Sequence, residues 1–279
     1  MLRVAIPNKG ILSETAILML KEAGYATRRD PKELHVIDSA NNIEFFYLRP
    51  RDIATYVGAG SLDIGLTGLD LLLDSRSPAQ TIEDLKFGES TFRFAGPVGQ
   101  FKSVSDLEGK RVATAYVNLV EDFLSEQGVK ATLVQLDGAV ESAVRLGVAD
   151  AVADVVSTGN TLRQAGLEIF GPVLLHSTAH LIGGAGKETL ASGLLRRLRG
   201  VIVAREYVIF DYDCPAELVE QASAITPGIE SPTVSPLRDP EWVAVRALVK
   251  SSETNSTMDA LYDLGARAIL VSAIHAARI

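Results

Sequence analysis

The sequence predicts an α/β protein built from two similar α/β lobes and a small C-terminal domain of ferredoxin-like order. From the N-terminus to about residue 200, short apolar runs alternate with segments of helical period, which is typical of α/β folds. Two parts of this region also resemble each other. From about Tyr207 onward the pattern changes to β-α-β-β-α-β, the order of elements in ferredoxin-like domains.

The elements of the first lobe follow one another in short steps. An apolar run over residues 2–7 predicts a strand. A helical stretch then begins at Ser13 and closes at Gly24, because glycine commonly follows the last helical turn. The remaining predicted elements are a hairpin-like pair at residues 33–38 and 43–48, a helix at 50–57 and a buried strand at 63–67.

An internal repeat supports the second lobe. The residues Arg3-Val4-Ala5 parallel Arg111-Val112-Ala113, and each triplet opens a strand, a turn and a helix. Farther along, residues 60–64 parallel residues 147–151. The copies are unequally spaced, so the hairpin would be an insertion in the first copy. The repeat predicts two lobes with a ligand cleft between them, with chance similarity of short apolar strings as the alternative.

The third domain is predicted over residues 207–279, a length that suits one small domain. Residues 1–90 would form the first lobe and residues 91–184 the second. An amphipathic stretch within residues 185–206 would return the chain to the first lobe. The elements predicted for the third domain are strands at 207–213, 231–237, 242–249 and 266–274, a helix from Pro215 to about Ala224 and a helix over Met258–Gly265.

Composition narrows the class of protein. A formal net charge of −8 argues against a broad nucleic-acid surface. No apolar run approaches the roughly 20 residues needed to cross a bilayer, and the N-terminus shows no signal-peptide pattern. The single cysteine, Cys214, suits a reducing compartment. We therefore expect a cytoplasmic protein without nucleic-acid or membrane partners.

The most informative segment is ADAVADVVSTGNT at residues 149–161. An acidic strand carrying Asp154 leads into a turn with hydroxyl groups and a glycine, which is expected to open the next helix. Backbone N–H groups, hydroxyls and the helix dipole in such a turn favour a bound phosphate. The alternative is an ordinary capped helix. The residues of the predicted phosphate site are Asp154, Ser157, Thr158, Gly159, Asn160 and Thr161.

Other candidates stand at predicted strand ends, where α/β proteins place ligands. Lys9 follows the first strand, and the Arg49 guanidinium could donate two hydrogen bonds to a phosphate. Asp70 could contact a nucleotide or a metal, or merely cap a helix. Tyr116 could stack on a base or belong to the core. Glu141 joins Asp154 as an acid suited to ribose or Mg²⁺ contact. For each residue taken alone, the structural alternative stays open.

Segments along the whole chain resemble one family. In sequence order, they are Arg3–Gly10, Val36–Arg51, Tyr56–Asp70, Arg111–Asn118, Leu136–Thr161 and residues 211–249. Together they resemble ATP phosphoribosyltransferases of the long form, and residues 149–161 resemble the loop that binds 5-phosphoribosyl-1-pyrophosphate (PRPP) in that family. The sequence departs from the family mainly in residues 168–200.

The resemblance implies a fold, a reaction and a site. The fold is two lobes of the periplasmic-binding-protein type with an ACT-like third domain. The reaction joins N1 of ATP to C1 of PRPP with release of pyrophosphate and opens histidine biosynthesis, with Mg²⁺ as cofactor. The implied catalytic residues are Lys9, Arg49, Glu141 and Asp154. The implied nucleotide-binding residues are Lys9, Leu12, Arg49, Asp70, Leu71 and Tyr116, and the implied metal contacts are Glu141 and Asp154.

The resemblance also implies feedback inhibition by L-histidine and assembly into homodimers or homohexamers. The implied histidine-binding residues are Asp213, Thr233, Ser235, Leu248 and Ala268. Two other functions stay open at this stage. A two-lobed solute-binding or effector-sensing module would need no chemistry, and a prephenate dehydratase-like enzyme would share the architecture without needing a PRPP loop.

Overall fold

A computed structural model describes residues 1–30, 32–156 and 159–278. The chain divides into two compact units. The first unit comprises Met1–Lys21 and Tyr25–Ser192, and the second comprises Glu22–Gly24 and Gly193–Ile279.

The helices and strands are numbered in chain order. The strands are β1 (Leu2–Pro7), β2 (His35–Asp38), β3 (Ile43–Leu48), β4 (Ile64–Gly68), β5 (Gln80–Asp84), β6 (Ser90–Pro97), β7 (Arg111–Thr114), β8 (Thr132–Gln135), β9 (Ala151–Val156), β10 (Leu167–Ser177), β11 (Ala179–Gly183), β12 (Tyr207–Pro215), β13 (Thr233–Pro236), β14 (Trp242–Lys250) and β15 (Arg267–Ala273). The α-helices are α1 (Ile11–Glu22), α2 (Pro50–Gly58), α3 (Leu69–Ser75), α4 (Val117–Glu126), α5 (Ser142–Arg145), α6 (Asn160–Gln164), α7 (Glu188–Glu206), α8 (Val219–Ile225) and α9 (Thr254–Leu264).

The first sheet runs in the order β2-β3-β1-β4-β11-β5. Its central strands β3, β1 and β4 are parallel, so their carboxyl ends meet at one edge. Strand β11 pairs antiparallel with β4, and the chain therefore re-enters this sheet before the predicted return segment at 185–206. On one face, Ile53 and Val57 of α2 pack against Ala5 and Ile182 of the sheet.

The second sheet runs in the order β10-β6-β9-β7-β8 and has a core on each face. One core is aromatic, with Phe92, Phe94 and Phe170 buried together. The other consists of smaller side chains, such as Ala95, and includes Leu162 of α6. Because α6 packs through Leu162, the start of this helix is held against the second sheet.

The register of the two sheets repeats the predicted internal similarity. Strand β1 pairs in parallel with β4, with Val4 opposite Ile64. Strand β7 pairs in parallel with β9, with Val112 opposite Ala151. These residues occupy matching positions of the two sequence copies. The likeness is therefore one of folded units rather than of chance apolar strings.

The same two units share an arginine–aspartate pair. The backbone N–H of Arg3 donates to Asp63 at 3.0 Å, and that of Arg111 donates to Asp150 at 2.9 Å. The guanidinium groups pair with the same carboxylates, at 3.7 Å and 2.8 Å respectively. Each pair fixes the start of one parallel strand beside the next.

The second unit contains a sheet in the order β13-β14-β12-β15, which confirms the predicted ferredoxin-like architecture. Helices α8 and α9 cover one face, where Phe210, Tyr212 and Val245 are buried. Because side chains alternate along a strand, residues one position away face the opposite side of the sheet.

Some predicted boundaries differ from those observed. Strand β2 begins at His35, because the carboxylate of Glu33 instead accepts the N–H of Arg29 at 2.8 Å in a turn. Pro215 ends β12 rather than opening a helix, since it pairs across the sheet with Trp242. Helix α9 begins at Thr254, ahead of the apolar residues that predicted it.

Candidate functional site

A cleft of ≈ 670 Å³ lies within the first unit, between its two sheets. Both lobes contribute to its wall. Its lining residues are Lys9, Gly10, Ile11, Leu12, Arg49, Pro50, Arg51, Gly68, Asp70, Leu71, Gly88, Glu89, Ser90, Tyr116, Asp137, Val155 and Ser177. Every nucleotide-binding residue predicted from the sequence is among them.

Strand topology explains why the first-lobe residues meet. Lys9 follows β1, Arg49 follows β3 and Asp70 follows β4, and these three strands are parallel neighbours. Parallel strands bring their carboxyl ends to the same edge, where ligands of α/β proteins bind. Lys9 and Arg49 are both exposed to the cleft. Two cations therefore stand where a phosphate group could reach them.

Asp70 is held from the other lobe. The Ser177 hydroxyl donates to Asp70 Oδ1 at 2.7 Å, and the Asp70 N–H donates back to Ser177 Oγ at 3.1 Å. A Cβ added at Gly68 would lie 2.2 Å from Asp70 Oδ1, so only glycine leaves room for this carboxylate. The two reciprocal bonds fix one acceptor oxygen at the base of the cleft.

Tyr116 forms the opposite wall of the cleft. Its ring stands edge-on to Phe92 at 5.1 Å between centroids, and the Arg51 guanidinium lies 4.9 Å from the ring centroid. Burial raises the pKa of Tyr116, and the charges of Asp70 and Asp154 raise it further. The phenol therefore stays protonated at neutral pH and offers a flat, polarised ring face.

Arg51 is a cleft residue that the sequence analysis did not single out. It lies in the first turn of α2, and its Nη1 donates to Asp74 Oδ2 at 2.8 Å. A second arginine so close to Arg49 at a strand end was the available signal. Ser177, Glu89 and Asp137 also line the cleft and were missed.

Asp154 lies on β9 next to the cleft-lining Val155, whose N–H donates to Asp154 Oδ1 at 2.8 Å. Burial raises the pKa of Asp154, and the negative charges of Glu141 and Asp70 raise it further. Asp154 and Glu141 are not among the described residues that line the cleft. Asp154 nevertheless interacts electrostatically with Asp70, which does line the cleft.

The predicted phosphate turn is described in part. Ser157 and Thr158 lie outside the described residues. Gly159 has φ 71° and ψ 8°, the left-handed conformation that favours glycine, and α6 begins at the next residue. The Asn160 side-chain oxygen accepts a hydrogen bond from Arg163, while Thr161 is exposed. Strand β9, which carries Asp154, is thus followed by a helix, as the sequence predicted.

The part of the chain that the structure describes brings few potential metal ligands together. Across residues 1–30, 32–156 and 159–278, no three acidic, histidine or cysteine side chains lie close enough to hold a metal ion together. Carboxylate oxygens at Asp70, Glu141 and Asp154 are nevertheless the ligand type that Mg²⁺ prefers. Their mutual repulsion, which raises the pKa of Asp154, is what a nearby cation would relieve.

The predicted histidine site falls on the ferredoxin-like sheet of the second unit. Asp213, Ser235 and Leu248 occupy strand positions on the face opposite Phe210 and Tyr212. A pocket of ≈ 440 Å³ opens in this unit. Its lining residues are Ile209, Ile229, Glu230, Ser231, Thr233, Arg246, Ala247, Leu248 and Arg278.

The pocket unites only part of the predicted histidine set. Thr233 and Leu248 line it, whereas Asp213, Ser235 and Ala268 are not among its lining residues. Ala268 has φ 50°, next to an irregularity in the pairing of β12 with β15. Glu230 is the carboxylate that lines this pocket, and the lining residue Arg246 donates from Nε to Asp211 Oδ1 at 2.7 Å.

A cleft between two α/β lobes, with cations and a helix start at the carboxyl ends of parallel strands, is typical of proteins that bind phosphate-bearing ligands. In residues 1–30, 32–156 and 159–278, no helix is both long and apolar enough to cross a membrane.

A family model described as ATP phosphoribosyltransferase matches residues 49–200. A second model, described as HisG, C-terminal domain, matches residues 204–276.

Individual proteins agree with the family models. ATP phosphoribosyltransferases from Arthrobacter sp. (strain FB24) and Paenarthrobacter aurescens (strain TC1) are each 63% identical over 286 residues, covering 100% of both chains. The chain therefore belongs to the ATP phosphoribosyltransferase family.

Solved structures show the same architecture. The ATP phosphoribosyl transferase (HisG:HisZ) complex from Thermotoga maritima matches with TM-score 0.63 and 29% identity, over 72% of this chain and 98% of that chain. Tv2483 bound to L-arginine matches with TM-score 0.51 and 9% identity, over 71% of this chain and 83% of that chain. The second likeness concerns the fold alone.

Proposed function

We propose that the cleft of the first unit is the catalytic centre of this phosphoribosyltransferase, with ATP held by the first lobe and by Tyr116 of the second, and with PRPP at the end of β9 in the second lobe. The observation that carries the proposal is the meeting, in one cleft, of two cations, a buried acid and an aromatic ring (Lys9, Arg49, Asp70 and Tyr116). Within the cleft, N1 of ATP attacks C1 of PRPP, the new C–N bond forms, and the C–O bond to pyrophosphate breaks.

This reaction needs positioning and charge neutralisation more than a protein nucleophile. Lys9 and Arg49 neutralise phosphate oxygens where the strands end. The Tyr116 ring stacks on adenine, and its protonated phenol adds no charge beside the base. Leu12 and Leu71 line the cleft and provide apolar contacts for the adenine base.

The second lobe would hold PRPP at the end of β9. Asp154 accepts hydrogen bonds from ribose hydroxyls, and Glu141 lies close enough to affect its ionisation. The residues proposed to bind the 5′-phosphate are Ser157, Thr158, Gly159, Asn160 and Thr161. Left-handed Gly159 supports this role, because it turns the chain so that consecutive N–H groups can converge on an anion.

We propose Mg²⁺ as the cofactor, bound mainly through PRPP. A magnesium ion that keeps substrate oxygens and waters as ligands needs only one or two protein carboxylates. Glu141 and Asp154 are the proposed contacts, and their carboxylates suit a divalent cation. When bound, the ion neutralises charge on the departing pyrophosphate.

We propose residues 207–279 as a regulatory domain that binds L-histidine, with residues 1–90 and 91–184 as the catalytic lobes and 185–206 as the return segment. The proposed histidine contacts are Asp213, Thr233, Ser235, Leu248 and Ala268. A pocket at Thr233 and Leu248 supports the proposal. A cytoplasmic location and assembly into homodimers or homohexamers remain predictions.

The direct test mixes the protein with ATP, PRPP and Mg²⁺ and follows the N1-phosphoribosyl adduct by its ultraviolet absorbance. Product formation that requires all three components is expected. Omission of each component in turn is the control, and addition of histidine tests the proposed inhibition. Tight binding of ATP with no adduct under any condition would refute the catalytic assignment and leave a binding module.

A further inference from the structure

Asp74 is a buried acid that stands behind the cleft wall rather than in it. It lies near the end of α3, in the first lobe, and its side chain is 8% exposed. A carboxylate buried to this extent requires partners for both oxygens. Asp74 finds them in two different places, one on each lobe.

One oxygen caps a helix of the second lobe. Asp74 Oδ1 accepts the backbone N–H groups of Asn118 at 3.0 Å and Leu119 at 3.2 Å. These are the first-turn donors of α4, which have no partner within the helix itself. Tyr116, the residue at the N-cap position, supplies no side-chain bond to this helix start. The cap therefore comes from the opposite lobe.

The other oxygen holds Arg51. Its Nη1 donates to Asp74 Oδ2 at 2.8 Å, and the same guanidinium lies over the Tyr116 ring, 4.9 Å from its centroid. Tyr116 immediately precedes the capped helix. Asp74 thus determines both the backbone that carries the ring and the cation that packs against it.

We infer that Asp74 is a positioning residue for the nucleotide: by holding Arg51 and the start of α4 together, it sets the Tyr116 ring in place for the base. The inference rests on the proposed stacking of Tyr116 on adenine. It concerns ATP and not PRPP, because Asp74 contacts neither β9 nor α6 in the described residues.

The test compares Asp74→Asn with Arg76→Ala by steady-state kinetics, varying ATP and PRPP separately. Arg76 also joins α3 to α4, through ion pairs with Glu121 and Asp122, but does not contact Arg51 or Tyr116. Asparagine keeps the size of the side chain and loses the charge that holds Arg51. We expect KM for ATP to rise about tenfold in Asp74→Asn and KM for PRPP to change less than twofold. Arg76→Ala is expected to leave both unchanged.

Asn118→Ala provides a milder second variant in case Asp74→Asn does not fold. It removes the bond from Asn118 Nδ2 to the Asp74 carbonyl at 2.7 Å and buries no unpaired charge. We expect a threefold rise in KM for ATP alone. Equal increases for both substrates, or unchanged kinetics with a lower melting temperature, would overturn the inference.

Tyr116→Ala separates this inference from the proposal on which it rests. If Tyr116→Ala raises KM for ATP and Asp74→Asn does not, the inference alone fails. If Tyr116→Ala has no effect on ATP, the proposed stacking fails as well.

Discussion

The two lobes share a folded unit but differ at the end of its last strand. In the first lobe, β4 leads directly into α3, and Asp70 in the first turn is bonded to Ser177. In the second lobe, β9 ends at Val156, and Gly159 in the left-handed conformation immediately precedes α6. A helix start attracts negative charge. The first lobe supplies that charge from its own chain, and we propose that the second leaves the place to a ligand.

From this difference we infer how one scaffold, used twice, would form the two kinds of site proposed above. An acid at the helix start excludes phosphate and presents acceptors, which suits contact with a nucleoside. Hydroxyls and a glycine at the corresponding place present donors, which suits a phosphate. The predictions below test this division between the lobes.

The largest effect is expected from Asp154→Asn in the second lobe. Loss of the charged acceptor should lower kcat/KM by about 10²–10³-fold, the range for removal of a preorganised electrostatic group. Because burial and neighbouring acids raise the pKa of Asp154, its ionised form destabilises the native protein. The variant should therefore melt at a higher temperature at pH 7. Melting curves and steady-state rates provide the two measurements.

The sign of that stability gain can be checked by varying pH. Asp154 binds its proton more tightly in the native state than in the unfolded state, so ionisation reduces stability as pH rises above 3.8, its ordinary pKa. The gain in Asp154→Asn should be full at neutral pH and vanish in acid. A variant that is less stable at pH 7 would contradict the assigned cause.

A smaller effect is expected from Gly159→Ala. A Cβ at this position would lie 3.7 Å from the side chains of Ile169 and Val156, which is ordinary van der Waals contact. The loss of folding free energy therefore comes from the positive φ and is about 1 kcal/mol. We expect KM for PRPP to rise about tenfold while ATP and histidine binding remain unchanged. Gly138→Ala, in the same lobe with open space around it, is the control. Equal loss of ATP binding would argue against the division.

Gly68→Ala tests the first lobe in the same way. Its Cβ would collide with Asp70 Oδ1 at 2.2 Å, which forces the carboxylate away from Ser177. Losing a buried hydrogen bond to a charged group costs about 1.5–3 kcal/mol. We expect weaker ATP binding with PRPP binding retained, measured by calorimetry with each ligand. Weaker PRPP binding alone would reverse the assignment of substrates to lobes.

The smallest effect is expected at Asp150, which lies just before β9. Hydrogen bonds from the Arg111 side chain and N–H lower the pKa of Asp150 to about 2. Its contribution to stability is present above 3.8 and is lost as pH falls towards 2. Because the pair is partly exposed, Asp150→Asn should lower the melting temperature by only a few degrees at pH 7. The difference should disappear in strong acid.

The sequence predicted the parts of the fold that depend on local pattern. Strand β1, helix α2 and the ferredoxin-like order of the second unit follow from apolar periodicity and were confirmed. Parallel strand ends also explain why Lys9 and Arg49 could be predicted to meet. The repeat was visible because Asp63 and Asp150 occupy matching positions.

Contacts between residues that are far apart in the sequence could not be predicted from local patterns. Ser177 bonds to Asp70 across 107 positions of sequence, and no local pattern marks such a pair. The same holds for Asp74, which caps a helix 44 positions farther along the chain. Arg51 was missed because an arginine in the first turn of a helix usually faces solvent. The prediction of the return segment was similarly limited, because the single strand β11 follows the second lobe in sequence and yet belongs to the first sheet.

The route of the chain between the lobes has a mechanical consequence. Residues 85–89 lead from β5 to β6, and Thr178 leads back from β10 to β11. These two crossings are bonded to each other, through Leu85 N–H to the Ala179 carbonyl at 2.9 Å and Ala179 N–H to the Phe87 carbonyl at 2.8 Å. The lobes are thus joined by two crossings that are hydrogen-bonded to each other, so neither crossing can twist without disturbing the other. We expect such a joint to guide opening and closing of the cleft along one arc, which would bring ATP and PRPP back to the same alignment in each turnover.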